Sequence, residues 1–389
     1  MFSTADWDEP YWTNKQHTAT VLAGMGWRVL YVESVGLRTP RMDSRRDWSR
    51  LWRRLWRGLQ SVLVGPPQRA PGIWVLSPLI VPAKHHWAMV RWFNQALLRA
   101  TITRFARRHR FAAPLVWTYH PFMLDAVADV EHGPLVYHCV DDIAAVPGVD
   151  VRAFHAAERE LLRRGDTVFA TATALKERCE AVNPNTHFLP NVVDAGHFGR
   201  ALEPGRVPED VRVLSRPRLV YHGVLSDFKV DFALLLEAAQ ARPDWQWVLI
   251  GEEREGQRNA QLAKLRELPN VHLLGYRSYG ELPDYLRAMD VGLLPTLLND
   301  YTRSMFPMKF FEYLAAGLPV VSTPLSFTEH QTEGIEVGLG ATQFVVAVEK
   351  QLARGRLTRE EAARFVGDNT WTARTAKMLA CVRSGGTAA

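Results

Sequence analysis

Two small constellations in this chain carry residue types that do chemistry. The first is Lys309 and Glu312, inside the stretch Tyr301–Thr323, YTRSMFPMKFFEYLAAGLPVVST. Pro307 suits the first helical position, where a missing N–H costs nothing. Gly317 ends the helix, Pro319 blocks its continuation, and Val320-Val321-Ser322 reads as a buried strand. The first N–H groups of a helix lack partners and the macrodipole is positive there, so such a terminus attracts anions. Lys309 adds a full charge in that first turn, and Glu312 could accept hydrogen bonds from sugar hydroxyls one turn on. This pair suits a nucleoside diphosphate, although the same spacing also describes an ordinary i,i+3 surface ion pair. The second constellation is Asp141-Asp142, with His120 on a neighbouring loop. A carboxylate or imidazole at such a place can take a proton from a hydroxyl. Adjacent carboxylates are also expected to raise one another's affinity for protons.

The elements that must position these groups alternate between strand and helix. Strands are expected at 28–32, 73–76, 115–117, 135–138, 167–169 and 187–189, with helices at about 12–25, 83–109, 152–164 and 174–181. A second run begins with a strand at 219–221, followed by strands at 247–250, 271–273 and 291–294 and helices at 230–241, 257–266 and 279–288. The alternation predicts two doubly wound parallel sheets, whose sites form at strand C-terminal ends. His120, Asp141-Asp142 and His222-Gly223 all fall there. Gly223 would let a diphosphate approach the backbone, although one glycine after a strand is more commonly a simple turn. Residues 199–216 are polar, aperiodic and bear Pro and Gly, and so read as a linker. The opening Met1-Phe2-Ser3-Thr4 reads as the tail of a first strand, short enough that the recorded start may fall inside it. A naturally short edge strand fits equally well.

At 389 residues, with 47% apolar and 23% charged residues, the chain has the composition of an ordinary globular protein of about two domains. The three cysteines, Cys139, Cys179 and Cys381, make neither a disulfide framework nor a metal spacing, which suggests a reducing compartment. No signal pattern or spanning apolar run is present, so a cytoplasmic location is expected. The net charge of +6 favours an anionic partner. Between Arg38 and Arg57, eight arginines stand against Asp43 and Asp47, and Trp48, Leu51, Trp52, Leu55, Trp56 and Leu59 recur at helical spacing. Trp with Arg on one amphipathic helix suits an anionic membrane surface, and the same periodicity suits a core-facing domain helix. No nucleic-acid motif accompanies the charge.

The 301–323 stretch resembles the donor motif of GT-B-fold glycosyltransferases, the family-4-like group and bacterial polysaccharide relatives, roughly P-x-K-x-x-E-Y-x-A-x-G-x-P-V-V. Pro307, Lys309, Glu312, Tyr313, Ala315, Gly317, Pro319, Val320 and Val321 match it. Pro190–Asp194 with Phe198 resembles the P-N-G-V-D-x-x-x-F signature that leads out of the family's N-terminal domain. The resemblance is patchy over 6–33 and good over 115–198 and 218–323. It implies an α/β GT-B fold of two Rossmann-like domains facing a central cleft. The N-terminal acceptor-binding domain would span 1–198 and the nucleotide-sugar domain 217–370, with a helix at 371–389 crossing back to the first. The implied donor contacts are Gly223, Tyr276, Arg277, Met308, Lys309 and Glu312, with Lys309 on diphosphate, Glu312 on ribose and Tyr276-Arg277 bracketing the base. The acceptor side would be Asp6, Trp7, Asn14 and His17. The implied activity is hexosyl transfer to a glycan or polyprenyl-linked acceptor in cell-surface polysaccharide synthesis, with no metal or other cofactor. Retaining members carry Glu-x7-Glu; its first position is Ser304 here, which argues against retention. The LVYHCVDD stretch resembles the base loop of the inverting glucuronosyltransferase of xanthan synthesis, which puts the base on Asp141, leaves Asp142 to cap the next helix, and makes His120 the alternative. Two other readings fit the same motifs: an NDP-sugar epimerase of this fold, or a non-catalytic membrane-surface module.

Overall fold

The computed structural model describes residues 1–34, 56–79, 88–127, 130–253, 257 and 259–385. Of the Trp/Arg stripe only its end is described, a helix at 56–63; Trp48, Leu51, Trp52 and Leu55 lie outside the described residues. On this described end Trp56 is 70% exposed, while Gly58 and Ser61 are buried.

The chain divides into two compact units, Met1–Leu189 with Thr375–Ala389, and Pro190–Arg374. The first boundary therefore precedes the Pro190–Phe198 signature instead of following it. Val193 and Phe198 are buried in the core of the second unit, together with Ala201 and Val211 from the expected linker. Apolar side chains spaced through an otherwise polar segment tie it down. From Thr375 on, the terminal helix Trp371–Gly385 belongs to the first unit, where Met378, Leu379 and Val382 are buried.

In the first unit β1 (Val29–Val32), β2 (Gln68–Ala70) and β3 (Ile73–Leu76) form one sheet in the order β1-β3-β2. Strand β2 pairs antiparallel to β3 and was not anticipated, because Gln68 and Arg69 carry no apolar pattern. Strands β4 (Val116–Thr118), β5 (Leu135–Cys139), β6 (Thr167–Ala170) and β7 (Thr186–Phe188) form a parallel sheet in chain order. Phe2 joins the two sheets, bridging Val32 on one side and Thr118 on the other. All five residues of β5 are buried, as expected of a parallel strand covered on both faces.

In the second unit β8 (Arg218–His222), β9 (Gln246–Ile250), β10 (Val271–Gly275), β11 (Val291–Leu294), β12 (Val320–Ser322) and β13 (Ile335–Val337) run parallel in the order β10-β9-β8-β11-β12-β13. The reversal of order around β8 is the place where such sheets bind ligands, beyond the strand C-termini. The helix Met308–Ala315 packs there. Its start differs from expectation by one position. Pro307 is the N-cap, with an extended ψ of 124°, and Met308 is the first helical residue.

Candidate functional site

The site of the second unit is built on the end of β8 and the first turn of the Met308–Ala315 helix. Lys309 reaches back to the β8 loop, so that a Cβ placed on Gly223 would lie 2.6 Å from its Cε and 2.8 Å from its Nζ. Gly223 has φ +121°, which an L side chain rarely adopts, so the backbone here must be glycine for both reasons. Gly251, just past β9, closes the same corner: a Cβ there would meet the Gly223 carbonyl oxygen at 1.9 Å. The ammonium of Lys309 also sits 5.4 Å from the Tyr221 ring centre. It makes no hydrogen bond among the described residues, and burial pushes it below the usual lysine range, with Glu312 opposing that shift.

Glu312 stands one turn further on, buried at 8% exposure. Desolvation pushes its carboxyl up to about 7, against the pull of Lys309. His222 Nε2 lies 3.4 Å from the Glu312 carboxylate. Burial first, and the Lys309 charge second, hold this imidazole well below its ordinary range, so the ring is neutral. The His222 backbone N–H donates to the Tyr313 hydroxyl at 3.1 Å, which fixes the helix against the strand end. Across from them the Tyr279 ring stacks on His197 with centroids 4.1 Å apart. Lys309 and Glu312 are therefore not an exposed surface pair. Lys309 is half-buried and Glu312 buried, each with hydrogen-bonding capacity left over among the described residues, an arrangement that costs free energy unless a ligand uses it. His222, Tyr279 and His197 were not singled out beforehand. The only trace of His222 was its place before Gly223, and the two stacked rings left no signal at all.

The other expected donor residues divide. Met308 is half-buried at the helix start and Tyr276 is half-buried just past β10. The Arg277 guanidinium is engaged within the unit: it donates to Asp210 at 2.9 Å, to its neighbour Tyr276's carbonyl at 2.9 Å and to the Tyr285 hydroxyl. Three of its five N–H donors are thus engaged, and its Cζ lies 5.3 Å from the Tyr285 ring centre.

The first unit gathers its polar residues at the ends of its strands. Asp141 follows β5 and is 3.7 Å from the ammonium of Lys15, a buried lysine on the helix Asn14–Gly24. Burial lowers that ammonium's proton affinity and Asp141 restores part of it. Asp142 was expected to cap the next turn. It occupies the N-cap of Ile143–Ala145 but makes no capping bond. Its carboxylate pairs instead with Arg178 at 2.9 Å, which also reaches Glu158 at 3.3 Å. The two aspartates thus face separate cations, so the mutual repulsion expected from their adjacency is offset. The Thr171 hydroxyl pins the loop by donating to the Val140 carbonyl at 3.0 Å.

His120 follows β4, buried at 1% exposure. Its Nδ1 accepts the Phe122 N–H at 3.2 Å, and burial pushes the ring down to about 4. A neutral imidazole accepting at Nδ1 carries its proton on Nε2. The Nε2 atom is buried without a hydrogen-bond partner among the described residues. His120 is therefore poised to donate, not to accept a proton. Trp7 packs edge-on against Tyr31 at 5.1 Å and beside Trp12 at 5.5 Å, and His17 packs against Trp12 at 5.4 Å. The Trp7 N–H donates to Glu33 at 2.9 Å, the Asp6 carbonyl accepts from Gln16 at 3.0 Å, and the Asn14 carbonyl accepts from Tyr119 at 3.3 Å. The expected acceptor residues thus form one packed loop and helix start, in which Asn14 and His17 are buried.

Residues 216–354 match a family model described as glycosyl transferases group 1. Over 227 residues the chain is 28% identical to the putative teichuronic acid biosynthesis glycosyltransferase TuaH of Bacillus subtilis (strain 168), covering 55% of this chain and 56% of the relative. The chain thus spans little more than half the length of this curated relative. Among solved structures, sucrose-phosphate synthase from Thermosynechococcus elongatus aligns with a TM-score of 0.66 at 15% identity, over 96% of this chain and 93% of the other. HepE of Anabaena, in complex with UDP and glucose, aligns with a TM-score of 0.65 at 16% identity, over 98% of both chains. The fold of this chain is accordingly GT-B, and its likeness to the glycosyl transferases group 1 model is confined to residues 216–354.

Proposed function

We propose that the protein is a glycosyltransferase of polysaccharide biosynthesis that transfers a hexosyl group from a nucleoside diphosphate sugar, with inversion, to a glycan or polyprenyl-linked acceptor. The observation that carries this reading is the Lys309 ammonium, held against Gly223 and without a hydrogen bond among the described residues. A diphosphate accepting from Lys309 and from the helix N-terminus would use both, and those donors would stabilise the charge that develops on the leaving group. Glu312, beside the neutral His222, would take the ribose hydroxyls, and Tyr276 with the plane of Arg277 would flank the base. The naming of relatives as a teichuronic acid glycosyltransferase and as a UDP and glucose complex supports this class of donor.

For the acceptor we assign Asp141 as the base, with Lys15 holding its carboxylate and His120 Nε2–H donating to a sugar oxygen. Asp6, Trp7, Asn14 and His17 would shape the acceptor side. Ser304 in place of a carboxylate supports inversion. A thermal-shift screen with UDP, GDP, TDP and CDP and their sugars tests the donor site, because a ligand that binds only the folded state raises its stability. Transfer from labelled donor into a lipid extract tests the reaction; conversion of the donor alone would point to an epimerase.

We also propose attachment to an anionic membrane face. Among the described residues no helix is long and apolar enough to cross a membrane. Trp56, Leu63, Met89, Trp92 and Phe93 are nonetheless exposed, at 70, 63, 77, 68 and 50%. The helix Ala88–Arg108 that carries three of them contains arginines and no acidic residue. Trp92→Glu should abolish binding to phosphatidylglycerol vesicles and leave Tm unchanged; a falling Tm would mean that this side chain packs within the protein.

A further inference from the structure

The corner at the end of β8 holds one buried hydrogen-bonding group that no role above uses, the His222 imidazole. It is the last residue of β8, and its side chain is buried. Its Nε2 has no hydrogen-bond partner among the described residues. A Glu312 carboxylate oxygen stands 3.4 Å away, near enough to interact but without hydrogen-bond geometry. Buried polar atoms left unpaired are rare in folded proteins, and each needs a reason.

The ring is held in place from several sides. The backbone N–H of His222 donates to the Tyr313 hydroxyl at 3.1 Å, and the Tyr313 ring meets the imidazole edge-on with centres 5.0 Å apart. Phe198 lies over its face at 6.3 Å. Burial and the Lys309 charge keep the ring neutral, so it has one N–H and one bare nitrogen. A bare nitrogen facing a carboxylate would set lone pair against lone pair, so the proton is assigned to Nε2. The corner therefore offers a hydrogen-bond donor, Nε2–H, directly beside an acceptor, the Glu312 carboxylate. Two hydroxyls on adjacent carbons fit that pair, one accepting from Nε2–H and the other donating to the carboxylate. A phosphate oxygen would also accept from Nε2–H, but it would set its negative charge against that of Glu312.

We propose, resting on the donor reading above, that His222 is a donor-binding residue in its own right: its Nε2–H and the Glu312 carboxylate divide between them two adjacent hydroxyls of the nucleotide ribose. The donor is then a ribonucleoside diphosphate sugar and not a deoxyribonucleoside one. A nucleotide lacking either hydroxyl would leave one buried group unpaired, which is how a site rejects an analogue that lacks the group it is built to bond.

Calorimetry at pH 8 on the full chain tests this, with whichever of UDP, GDP and CDP binds most tightly and with the 2′-deoxy and 3′-deoxy forms of that nucleotide. The wild type should bind the ribonucleotide at least tenfold more tightly than either deoxy form. His222→Phe keeps a flat ring and removes the N–H, and it should weaken the ribonucleotide about fivefold or more. The deoxy form that lacks the hydroxyl read by His222 should bind this variant within about twofold of wild type, while the other deoxy form weakens as the ribonucleotide does. Should His222→Phe not fold, His222→Ala runs the same cycle. All three ligands weakening alike would place His222 on the phosphates or in packing alone and overturn the proposal. A deoxynucleotide that binds the wild type as tightly as the ribonucleotide would overturn it too, as would a variant with unchanged affinities. A wild-type chain that binds none of the three diphosphates would overturn the donor reading itself, before any variant is compared.

Discussion

The two units handle their buried charges in opposite ways. In the first, each functional carboxylate has its own cation: Lys15 beside Asp141, Arg178 beside Asp142. In the second, Lys309, Glu312 and a neutral His222 are crowded together with little to satisfy them. A satisfied carboxylate keeps its place and charge while a neutral hydroxyl comes and goes, as a base must. An unsatisfied cation waits for an anion. The contrast suits the proposed division of labour, in which one unit would act on a neutral acceptor and the other would bind a charged donor. It can be broken from either side.

The largest effect should come from Asp141. Asp141→Asn keeps the loop geometry and removes the proton acceptor, and general-base catalysis is worth roughly a hundredfold or more. Turnover should fall at least that far with donor affinity unchanged, and the wild-type product should have inverted configuration by NMR. A retained anomer or near-normal turnover would move the base elsewhere. His120→Gln sharpens the same point. Glutamine keeps a donor but cannot act as an imidazole base, so activity should stay within about tenfold of wild type if His120 only donates.

Lys309→Ala comes next. It deletes a charge-assisted bond worth about 1.5–3 kcal/mol, so nucleoside diphosphate should bind at least tenfold more weakly by calorimetry. Without ligand, the variant should be no less stable than wild type, because the ammonium it removes is partly desolvated and makes no hydrogen bond among the described residues.

How much of this could be read from the sequence depends on how local each signal is. The proposed donor motif was legible because its helix, its strand and Lys309 and Glu312 all lie within Tyr301–Thr323, with the spacing of the two side chains fixed by one helix turn. Lys309 and Glu312 could be named, but their burial could not, since it depends on β8 and His222 from some ninety residues earlier. The partners of Asp141 and Asp142 were hidden for the same reason: Lys15 and Arg178 come from separate helices brought in by the sheet. The order of strands followed from alternation, while β2 escaped because an exposed antiparallel edge needs no apolar pattern. The expected linker looked polar by composition, yet two buried residues, Ala201 and Val211, were enough to fold it into the second unit.

The last effect concerns the pH dependence of stability, and it follows from Glu312. Its carboxyl is raised by burial from 4.5 to about 7 in the folded chain. A raised acid binds its proton more tightly folded than unfolded, so folding stability is highest below the unfolded value and falls as pH rises from about 4.5 to 7. Above that window the cost is constant, on the order of 3 kcal/mol. Glu312→Gln removes the titration and leaves a neutral side chain of similar shape beside His222. The variant should therefore be more stable than wild type at pH 8, and the difference should shrink towards zero at pH 4.5. Chemical denaturation at the two pH values measures it, and equal differences at both would mean that Glu312 is better solvated than its 8% exposure implies. Saturating nucleoside diphosphate should narrow the gap at pH 8, because the wild-type carboxylate would then have ribose hydroxyls as partners and the glutamine would bind them less well.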